Sequence, residues 1–284
     1  MGLTILNAAG GGGGADGAKV TISSTWAGRD APGTHTNSII KITDIPSLNE
    51  TFSLWLDTGT KHLPVTIPVI NWTDLSTAAK FGASLGASAA TFGDCEFFVQ
   101  NYGLNGFRVR SNGTRWFCPH PIQLFSDASF SAYTAAGGAG KTDVITATIP
   151  AGLAAAGDFW ELHFVVDKSA NTVESTDVEV YIGSNGASAS DTLVNNWTNL
   201  TGSVDCLAMM RRIAVQSATS VIDAGPSGPE SYPGSTSANS STATTITSSD
   251  TNDSKLTITL KPGATDTLTI QTAMIAFVTL GTGA

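Results

Sequence analysis

Charged residues are scarce in this chain. Asp, Glu, Lys and Arg make up 13% of its 284 residues, about half of the roughly 25% that is usual in soluble domains. Gly, Ala, Ser and Thr take their place. Such a surface suits a β-rich protein, and it suits one that buries much of its surface against neighbouring molecules, because isolated enzymes more often carry charge that keeps them apart.

Positive charge is the scarcer sign. The 14 basic and 23 acidic residues leave a net charge of −9. A chain without excess cations cannot release the counterions of a nucleic acid, and anionic membranes repel it. The basic residues are scattered, and the densest group is Met210-Arg211-Arg212. We therefore expect neither a nucleic acid nor a membrane as partner.

Cysteines and long apolar runs are also few. The three cysteines, Cys95, Cys118 and Cys206, form no CxxC pair, and their odd number does not indicate a disulfide framework. We expect buried thiols, with a Cys95–Cys118 bridge as the alternative. The longest apolar run, "AMIAFVTL" at 273–280, has the length of a strand, far short of the roughly 20 residues of a membrane span. The first residues lack the pattern of a signal peptide.

One glycine-rich segment resembles a nucleotide-binding loop. Residues 135–152 read "AAGGAGKTDVITATIPAG", but Ala135 stands where the P-loop pattern needs glycine. The residues after Lys141-Thr142 alternate with period two and are rich in β-branched side chains, which predicts a strand. A phosphate cradle needs a helix at this point, so we expect a connector that leads into a strand.

A second motif nominates a nucleophile. "GASLG" at 82–86 matches the G-x-S-x-G pattern and points to Ser84, but such an elbow needs a strand before the serine and a helix after it. The sequence predicts the opposite order, with a helix over 73–83 capped by Thr73 or Asp74. We therefore do not expect a catalytic Ser84.

Metal ligands and carboxylate pairs are no better defined. None of the histidines has a ligand spacing; they are His35, His62, His120 and His163. Asp250 and Asp253 are close in sequence but lack the glycine and glutamate of a calcium loop, which leaves a weak surface ion site as the alternative. A glycosidase pair meets only in space, and nothing distinguishes the candidates Glu161, Asp167, Glu174 and Glu179. We expect no catalytic activity, metal or cofactor.

The tryptophans divide into two groups. Trp55 and Trp160 lie in apolar alternation, which predicts core positions. Trp72 and Trp197 each lie in an "NWT" with loop-like flanks, which predicts exposed rings. An exposed indole can stack on a sugar, so Trp72 and Trp197 are the candidate glycan-binding residues.

The chain divides into an arm and two domains. Residues 1–17 contain a five-glycine run and are expected to form a flexible arm. Residues 18–124 are expected to form a β-rich domain with strands within 18–26, 38–45, 51–57 and 63–72. Phe107–Arg110 and Arg115–Cys118 flank an Asn112-Gly113 turn, which predicts a hairpin with positive φ at both residues.

Residues 125–284 are expected to form an eight-stranded jelly-roll β-sandwich. The predicted strands cover 129–134, 143–150, 158–167, 178–183, 205–216, 242–249, 255–261 and 266–280. Within 158–167, Trp160, Leu162, Phe164 and Val166 alternate with Glu161, His163 and Asp167. The segment 223–241, rich in Ser, Thr, Pro and Gly, is expected to be a surface loop.

About 180 residues of the chain resemble known virion proteins. "ITATIPAGLAAAGDFWELHFVVDKSANTVESTDVEVYIG" is similar to the C-terminal jelly-roll module of tailed-bacteriophage structural proteins, in which "IPAG" ends one strand and a later strand ends in glycine. "TITSSDTNDSKLTITLKPGATDTLTIQTAMIAFVTL" resembles the closing hairpin of that module. "GLNGFRVRSNGTRWF" resembles the hairpin that often precedes it.

The resemblance implies a non-enzymatic, homotrimeric protein of the virion, assembled in the host cytoplasm. It implies most directly a decoration or cement protein that binds the major capsid protein or other virion proteins, with residues 18–124 as the attachment domain. The alternative is a short tail-fibre or head-fibre adhesin that binds a host surface glycan. A third class is a secreted carbohydrate-active enzyme with a sandwich fold, which needs a carboxylate pair in a cleft.

Overall fold

The computed structural model describes residues 19–44, 53–76, 81, 84–127, 133–136, 140–168, 177–198, 207–223, 236–237, 243–263 and 267–281. This described part of the chain is all-β, as predicted. It divides into two compact units, the first formed by residues 1–101 and 108–116 and the second by 102–107 and 117–284. The predicted arm, residues 1–17, lies outside the described residues.

The first eight strands are short. They are β1 (Lys19–Ser24), β2 (Ser38–Ile42), β3 (Ser53–Asp57), β4 (His62–Pro64), β5 (Val69–Ile70), β6 (Glu96–Val99), β7 (Phe107–Ser111) and β8 (Trp116–Phe117). Between β5 and β6 lie a 3-10 helix (Trp72–Leu75) and the helix α1 (Leu85–Thr91).

The remaining strands are longer on average. They are β9 (Ile122–Asp127), β10 (Tyr133–Ala136), β11 (Thr142–Ile149), β12 (Phe159–Lys168), β13 (Asp177–Gly183), β14 (Thr192–Thr198), β15 (Leu207–Ser217), β16 (Ser220–Asp223), β17 (Thr236–Ser237), β18 (Thr244–Thr245), β19 (Ser254–Lys261) and β20 (Thr267–Val278).

The first eight strands form two four-stranded sheets, ordered β1-β2-β3-β4 and β5-β6-β7-β8. Pairs β1–β2 and β5–β6 are parallel. The strand predicted over 63–72 is divided into two edge strands, because Pro64 ends β4 and Pro68 directly precedes β5. Proline has no backbone N–H to donate, which confines it to sheet edges and strand ends.

The helix predicted over 73–83 is not formed at its described start, 73–76. These residues belong to a 3-10 helix, Trp72–Leu75, and its C-cap, Ser76. The Asp74 carboxylate accepts a hydrogen bond from Asn71 N at 2.9 Å, and most of the remaining predicted range lies outside the described residues. The α-helix lies further along, at Leu85–Thr91, and Ser84 Oγ caps it by accepting from Ala87 N at 3.2 Å. A serine at the N-cap satisfies one of the N–H groups that the first turn leaves unpaired.

The predicted hairpin is present, with a different turn. Strands β7 and β8 are neighbours in their sheet, and Asn112 N donates to Arg115 O at 3.1 Å. Only Gly113 has positive φ, at 90°, which is the pattern of a type II′ turn. Positive φ predicted at Asn112 does not occur; its side chain instead stabilises the turn, since Oδ1 accepts from Thr114 N and Arg115 N at 3.0 and 2.9 Å.

The core of the first unit is a cluster of aromatic rings. Its members are Trp26, Trp55, Phe81, Phe92, Phe97 and Trp116, all at most 5% exposed. Neighbouring rings meet at tilted or edge-on angles, with centroids 4.8 Å apart for Trp26–Trp55 and 4.9 Å for Phe81–Phe92. These geometries avoid face-to-face repulsion between π clouds.

The second unit is a jelly-roll β-sandwich. One sheet has the order β10-β20-β12-β15-β16-β18, with β9 also paired to β20, and the other has the order β11-β19-β13-β14-β17. Because β9 and β10 pair with successive parts of β20, they act as one first strand. The eight principal strands then run 1-8-3-6 in one sheet and 2-7-4-5 in the other, which is the jelly-roll order.

One of the eight predicted strands was misplaced. The segment 192–198, "TLVNNWT", forms β14 and was not predicted, whereas the strand predicted over 242–249 is reduced to the two residues of β18. The loop predicted over 223–241 lies outside the described residues except for Asp223, which ends β16, and the two residues of β17, which pair with the end of β14.

The predicted closing hairpin is also wrong. Strand β19 pairs with β11 and β13, and β20 pairs with β9, β10 and β12. These consecutive strands therefore belong to opposite sheets. In this winding order the chain passes from one sheet to the other at most connections, and only the pair β13–β14 joins consecutive principal strands of one sheet.

The division of the chain differs from the boundary expected near residue 124. That residue lies inside β9, which pairs with β20 of the sandwich from Ile122 to Asp127. A boundary at 124 would divide one strand between two domains, so the sandwich begins before it, at Phe117.

Candidate interaction surface

The two candidate glycan-binding tryptophans are buried. Trp72 is 4% exposed and Trp197 is 2% exposed, so the prediction that their rings face solvent is wrong. Neither ring presents a face on which a sugar could stack. Trp55 and Trp160 are 0% and 1% exposed, which confirms the prediction that they are core residues.

Trp197 is buried because its "NWT" ends a strand. The residue lies in β14, and its ring packs edge-on against Phe164 of the opposite sheet, with 5.3 Å between ring centroids. The Arg211 guanidinium lies 5.1 Å from the same ring centroid. Val194, three positions earlier in β14, is also buried, but the register shifts between Leu193 and Asn195, so these two apolar residues do not show the alternation of a strand.

Ser84 has a helix after it, contrary to the sequence prediction. Its hydroxyl is engaged as the cap of α1, and no strand directly precedes it, since the described residue closest on that side, Phe81, lies in a turn. The strand–turn–helix context that a nucleophile elbow requires is therefore not formed by the described residues.

The residues of the P-loop-like segment form a strand, as predicted. Thr142–Ile149 is β11, and Lys141 lies over the sheet, with its Nζ 2.7 Å from Glu179 Oε2 and 2.6 Å from Tyr181 Oη. These hydrogen bonds raise the pKa of Lys141 above its usual value despite some loss of hydration. The lysine is thus held charged by protein groups at the position where a P-loop would contact phosphate.

The three described glycosidase candidates, Glu161, Asp167 and Glu179, bond to different partners and do not form a carboxylate pair. Glu179 bonds Lys141 and Tyr181, whereas Glu161 bonds Arg212 on the other sheet. Asp167 accepts from Gln271 Nε2 at 3.2 Å. The fourth candidate, Glu174, lies outside the described residues.

The Asp253 carboxylate organises the "IPAG" turn. It accepts hydrogen bonds from Ala151 N at 3.1 Å and from Tyr102 Oη at 3.0 Å. Burial and this bond to Asp253 raise the pKa of Tyr102 to about 12. Gly152 has a φ of 75°, which glycine adopts without strain, and its N–H donates to Ser249 O at 2.7 Å. The Asp253 oxygens are therefore used in joining two loops.

A buried polar cluster lies in the first unit. Arg29 Nε donates to His62 Nδ1 at 3.1 Å, and the Arg29 guanidinium lies 3.4 Å from the centroid of the Trp26 ring. His62 Nε2 lies 3.9 Å from Asp57 Oδ2 and has no hydrogen-bond partner among the described residues. Burial and the charge of Arg29 lower the pKa of His62, so protonation of the histidine is disfavoured in the folded protein.

Asp57 is the anchor of that cluster. Its carboxylate accepts backbone hydrogen bonds from Gly33, His35 and Gly59 at 2.8 to 3.0 Å. Burial alone would raise the pKa of Asp57, but these three bonds and nearby His62 hold it below its usual value. The cluster fixes two loops to β3, which is a structural task.

A second buried ionic group lies inside the sandwich. Arg211 Nε is 3.6 Å from Asp223 Oδ2, and both side chains are fully buried. Asn195 Nδ2 also donates to this carboxylate. Arg211 belongs to β15, Asp223 to β16 and Asn195 to β14, so the group joins the two sheets.

The outer side of the larger sheet carries a partly apolar surface. One row of side chains crosses β9, β20, β12 and β15 in register; it consists of Ser126, Met274, His163 and Met210. Met210 is 56% exposed, and a shallow depression of about 360 Å³ follows the row. We call the outer surface of these four strands the methionine face.

The next row of the methionine face carries no charge. Val165 of β12 lies between Thr272 of β20 and Ala208 of β15. Ala208 is exposed, and Val165 and Thr272 are half-buried. Exposed or half-buried apolar side chains of the two rows therefore lie next to one another on this side of the sheet.

On the side of the Met210 row that faces away from Val165, the charged side chains of Glu161 and Arg212 form an ion pair. Glu161 Oε1 lies 3.1 Å from Arg212 Nη2 and 3.4 Å from His163 Nε2. Burial would raise the pKa of Glu161, but these bonds outweigh it and hold the pKa below its usual value. Arg212 also lies over the ring of Phe159, 5.1 Å from its centroid. On the methionine face, Glu161 is therefore paired with Arg212, whereas the Asp167 carboxylate of the same outer side accepts a hydrogen bond from the neutral Gln271.

The sequence predicts part of the methionine face, namely the outward side chains of β12. The outward orientation of Glu161, His163 and Asp167 was predicted from the alternation in β12 and is confirmed by their partial exposure. In the sequence, Met210 is distinguished only by its place in "MRR". Its neighbour Met209 is 1% exposed, and the alternation that separates them becomes clear only once β15 is known to be a strand.

The remaining chemical candidates are structural or absent. Cys95 and Cys118 are buried and form no disulfide, and burial raises the pKa of the Cys95 thiol; the third cysteine, Cys206, lies outside the described residues. The described residues contain no cluster of three or more His, Cys, Asp or Glu that could hold a metal ion. No described helix is long and apolar enough to cross a membrane.

Comparison with known proteins adds little. No family profile and no curated protein matches the sequence. The chain is weakly similar to a chain in the structure of the infectious bursal disease virus Gx strain, with 10% identity and a TM-score of 0.26 over 58% of this chain and 41% of that chain. It is also similar to the VP2 subviral particle of that virus, with 12% identity and a TM-score of 0.22 over 61% and 52% of the two chains.

The chain spans only about half the length of each viral chain that it matches. Both structures are of virus particles by their descriptions, but likeness at this level is too weak to assign a function.

Proposed function

We propose that the protein is a structural component of a tailed-bacteriophage virion, and specifically a decoration or cement protein that acts as a homotrimer without catalytic activity. Its place would be on the particle, bound to the major capsid protein or to other virion proteins after assembly in the host cytoplasm. The resemblance of the "IPAG" and "VEVYIG" segments to phage jelly-roll modules directs the proposal to phages.

The observation that carries the proposal is the methionine face. Met210 and Met274 lie on the outer side of a sheet on which Glu161 and Arg212 form an ion pair and Asp167 is hydrogen-bonded to Gln271. Such a surface is poorly suited to bind a charged small substrate, but it is suited to pack against another protein. A decoration protein stabilises a shell through many such contacts of modest area.

The resembling motifs also have structural explanations. In "IPAG", Gly152 takes a positive φ and Ala151 donates to Asp253. In "VEVYIG", a Cβ on Gly183 would lie 2.1 Å from Asp191 Oδ1, and this carboxylate accepts from the backbone of Gly186 at 2.7 Å. Both glycines serve the sandwich, which supports a structural module.

The adhesin alternative is not favoured by the structure. Its candidate residues, Trp72 and Trp197, are buried, and no other exposed tryptophan occurs among the described residues. Binding to host cells remains the direct test of this alternative.

The test of the proposal is the copy number of this chain in purified particles, measured by quantitative mass spectrometry against the major capsid protein. Hundreds of copies per particle are expected for decoration. A few to a few tens would indicate a tail or vertex appendage, and absence from particles would overturn the virion assignment.

A further inference from the structure

We propose that Met210, His163 and Met274 form a binding site for a soft monovalent metal ion, copper(I), on the outer side of the larger sheet. The site is independent of the proposed virion role, since it depends only on three side chains of the free chain. It departs from the expectation that the chain binds no metal, which was drawn from histidine spacings and an acidic loop.

The three side chains lie next to one another in a single row. His163 of β12 stands directly opposite Met210 of β15 on one side and Met274 of β20 on the other. Directly opposed side chains on one face of an antiparallel pair have Cβ atoms roughly 5 Å apart. All three side chains line the same depression of about 360 Å³, so two thioether groups flank one imidazole.

Each of the three side chains is accessible to an ion from solvent. Met210 is 56% exposed, and His163 and Met274 are half-buried. Methionine is unbranched and has three rotatable bonds, so its sulfur can turn toward the neighbouring strand without movement of the backbone. Met209, the neighbour of Met210 on β15, is 1% exposed and belongs to the core.

The contact between His163 and Glu161 leaves one ring nitrogen for a metal. His163 Nε2 lies 3.4 Å from Glu161 Oε1. An ionised carboxylate only accepts hydrogen bonds, so the ring proton is favoured on Nε2 and the lone pair on Nδ1. Metal-binding histidines commonly donate their second ring N–H to a carboxylate, which fixes the orientation of the ring. Glu161 stands in the position of that carboxylate.

The ligand set selects the metal. Thioether sulfur is a soft ligand that favours copper(I), whereas magnesium and calcium take oxygen ligands. Zinc is held by thiolate, imidazole and carboxylate groups, and the row offers a single imidazole. The three ligands are neutral, so they hold the ion by donating electron pairs and not by opposite charge. The adjacent cation, Arg212, is paired with Glu161 at 3.1 Å.

The experiment follows the methionine methyl groups of the purified full chain by nuclear magnetic resonance after carbon-13 labelling. The signals of Met209, Met210 and Met274 are identified by the Met→Leu variant of each. Silver(I), a redox-inert ion of the same charge and softness, is added first in chloride-free buffer, and copper(I) is then added without oxygen. The signals of Met210 and Met274 are expected to shift together along one titration curve, while that of Met209 stays in place.

This measurement separates the proposed site from the thiols. Soft metals also bind cysteine, and the chain contains Cys95, Cys118 and Cys206. Binding at a thiol leaves the signals of Met210 and Met274 unshifted, because neither sulfur is then a ligand. The shift of the two methionine signals therefore reports the affinity of this site alone.

Loss of one ligand should weaken binding. His163→Gln, Met210→Leu and Met274→Leu are each expected to raise the ion concentration at half-saturation by at least about tenfold, since even groups that only orient a ligand change metal affinity by about 10- to 100-fold. The remaining methionine signal of the row gives the measurement. His120→Gln, at an exposed position outside the row, is the matched control and should leave half-saturation unchanged. Near-ultraviolet circular dichroism checks that every variant is folded.

Three outcomes would overturn the site. They are signals of Met210 and Met274 that do not shift together with silver(I) and copper(I), half-saturation that His163→Gln leaves unchanged, and an equal response to zinc(II), which would mean that soft ligands are not involved. Each of these outcomes leaves the proposed function untouched, since the particle copy number tests it separately.

Discussion

The two units of this chain fill their cores with different side chains. The first packs six aromatic rings, among them Trp55 and Phe92, between strands of two to six residues. The second packs mainly Ile, Leu and Val along principal strands that are mostly seven to twelve residues long, with edge-on aromatic pairs such as Trp160–Phe277, whose ring centroids are 5.2 Å apart.

The difference shows two ways to bury enough apolar surface. A strand of two residues can contribute one inward side chain, so that side chain must be large, and a Trp or Phe buries about 150 to 250 Å². A strand of ten residues contributes five inward side chains, and β-branched residues suffice. Short strands therefore make the first unit depend on a few rings, whereas the sandwich distributes its stability over many positions.

The largest expected effect is that of Trp55→Ala. It removes a fully buried ring from the aromatic cluster and should lower the free energy of unfolding of the first unit by about 4 kcal/mol. Differential scanning calorimetry, with tryptophan fluorescence as a second probe, is the measurement. Trp160→Ala is the matched variant and should instead shift the transition of the sandwich. If both variants shift one common transition equally, the two units unfold together and the contrast between their cores has no thermodynamic meaning.

Arg211→Met should cause the second largest loss of stability, and this loss should occur in the sandwich. The variant leaves the buried Asp223 carboxylate without its guanidinium partner, at a cost of about 3 kcal/mol. The midpoint of urea unfolding measures this cost. Arg212→Met is the control, because the pair of Arg212 with Glu161 is partly exposed and should contribute at most about 0.5 kcal/mol. Equal losses in the two variants would contradict the buried role of Arg211.

Asp57→Asn should lower the stability of the first unit by about 2 kcal/mol. The amide retains one acceptor oxygen, whereas the carboxylate accepts backbone hydrogen bonds from Gly33, His35 and Gly59, and bonds to a charged acceptor are the stronger ones. Chemical denaturation followed by tryptophan fluorescence measures the loss. Asp30→Asn, at an exposed position, should change little, and a comparable loss there would argue against a special role for the loop anchor.

The smallest expected effect is a pH dependence confined to the first unit. The pKa of His62 is lowered in the fold, so the unfolded chain binds the proton more readily. The corresponding stability is present above the unfolded value of about 6.5 and is lost as the pH falls below it. Asp57, whose pKa is also lowered, adds a further loss as the pH falls below about 4.

Thermal unfolding between pH 7.5 and 5 measures the contribution of His62. The transition of the first unit should move to lower temperature as the pH falls, and His62→Gln should flatten this dependence. His163→Gln, on the sandwich, serves as the control and should leave it unchanged. A pH dependence that persists in His62→Gln would assign it to other groups.

The sequence was most informative where local pattern and environment agree. The alternation of Trp160, Leu162 and Phe164 predicts both the strand and its inner side. Apolar residues at every second position are typical of a strand with one buried face. The run after Lys141 predicted a strand in place of a phosphate loop for the same reason. Proline and glycine signals predicted the edge strands near Pro64 and the hairpin at Gly113.

It was least informative where polar residues are buried. Strand β14 contains Asn195 and Asn196 and was not predicted, since Asn195 is buried only because it bonds Asp223 of the other sheet. Because the strand is not recognised, its polar flanks predict a loop at Trp197 and an exposed ring, whereas the ring is buried. The helix at Leu85–Thr91 was missed because its residues are small and show no apolar stripe, so that Ser84 as a cap was the available signal.

By itself, the sequence determined the all-β class, the two-part organisation and most of the long strands of the sandwich, because these follow from side-chain periodicity and turn chemistry along the chain. Only the tertiary structure decided the jelly-roll order, the burial of Trp72 and Trp197, and the alignment of Met210, His163 and Met274 on one face. Those properties depend on which distant strands become neighbours, and pairing across a sheet places residues side by side that no local pattern connects.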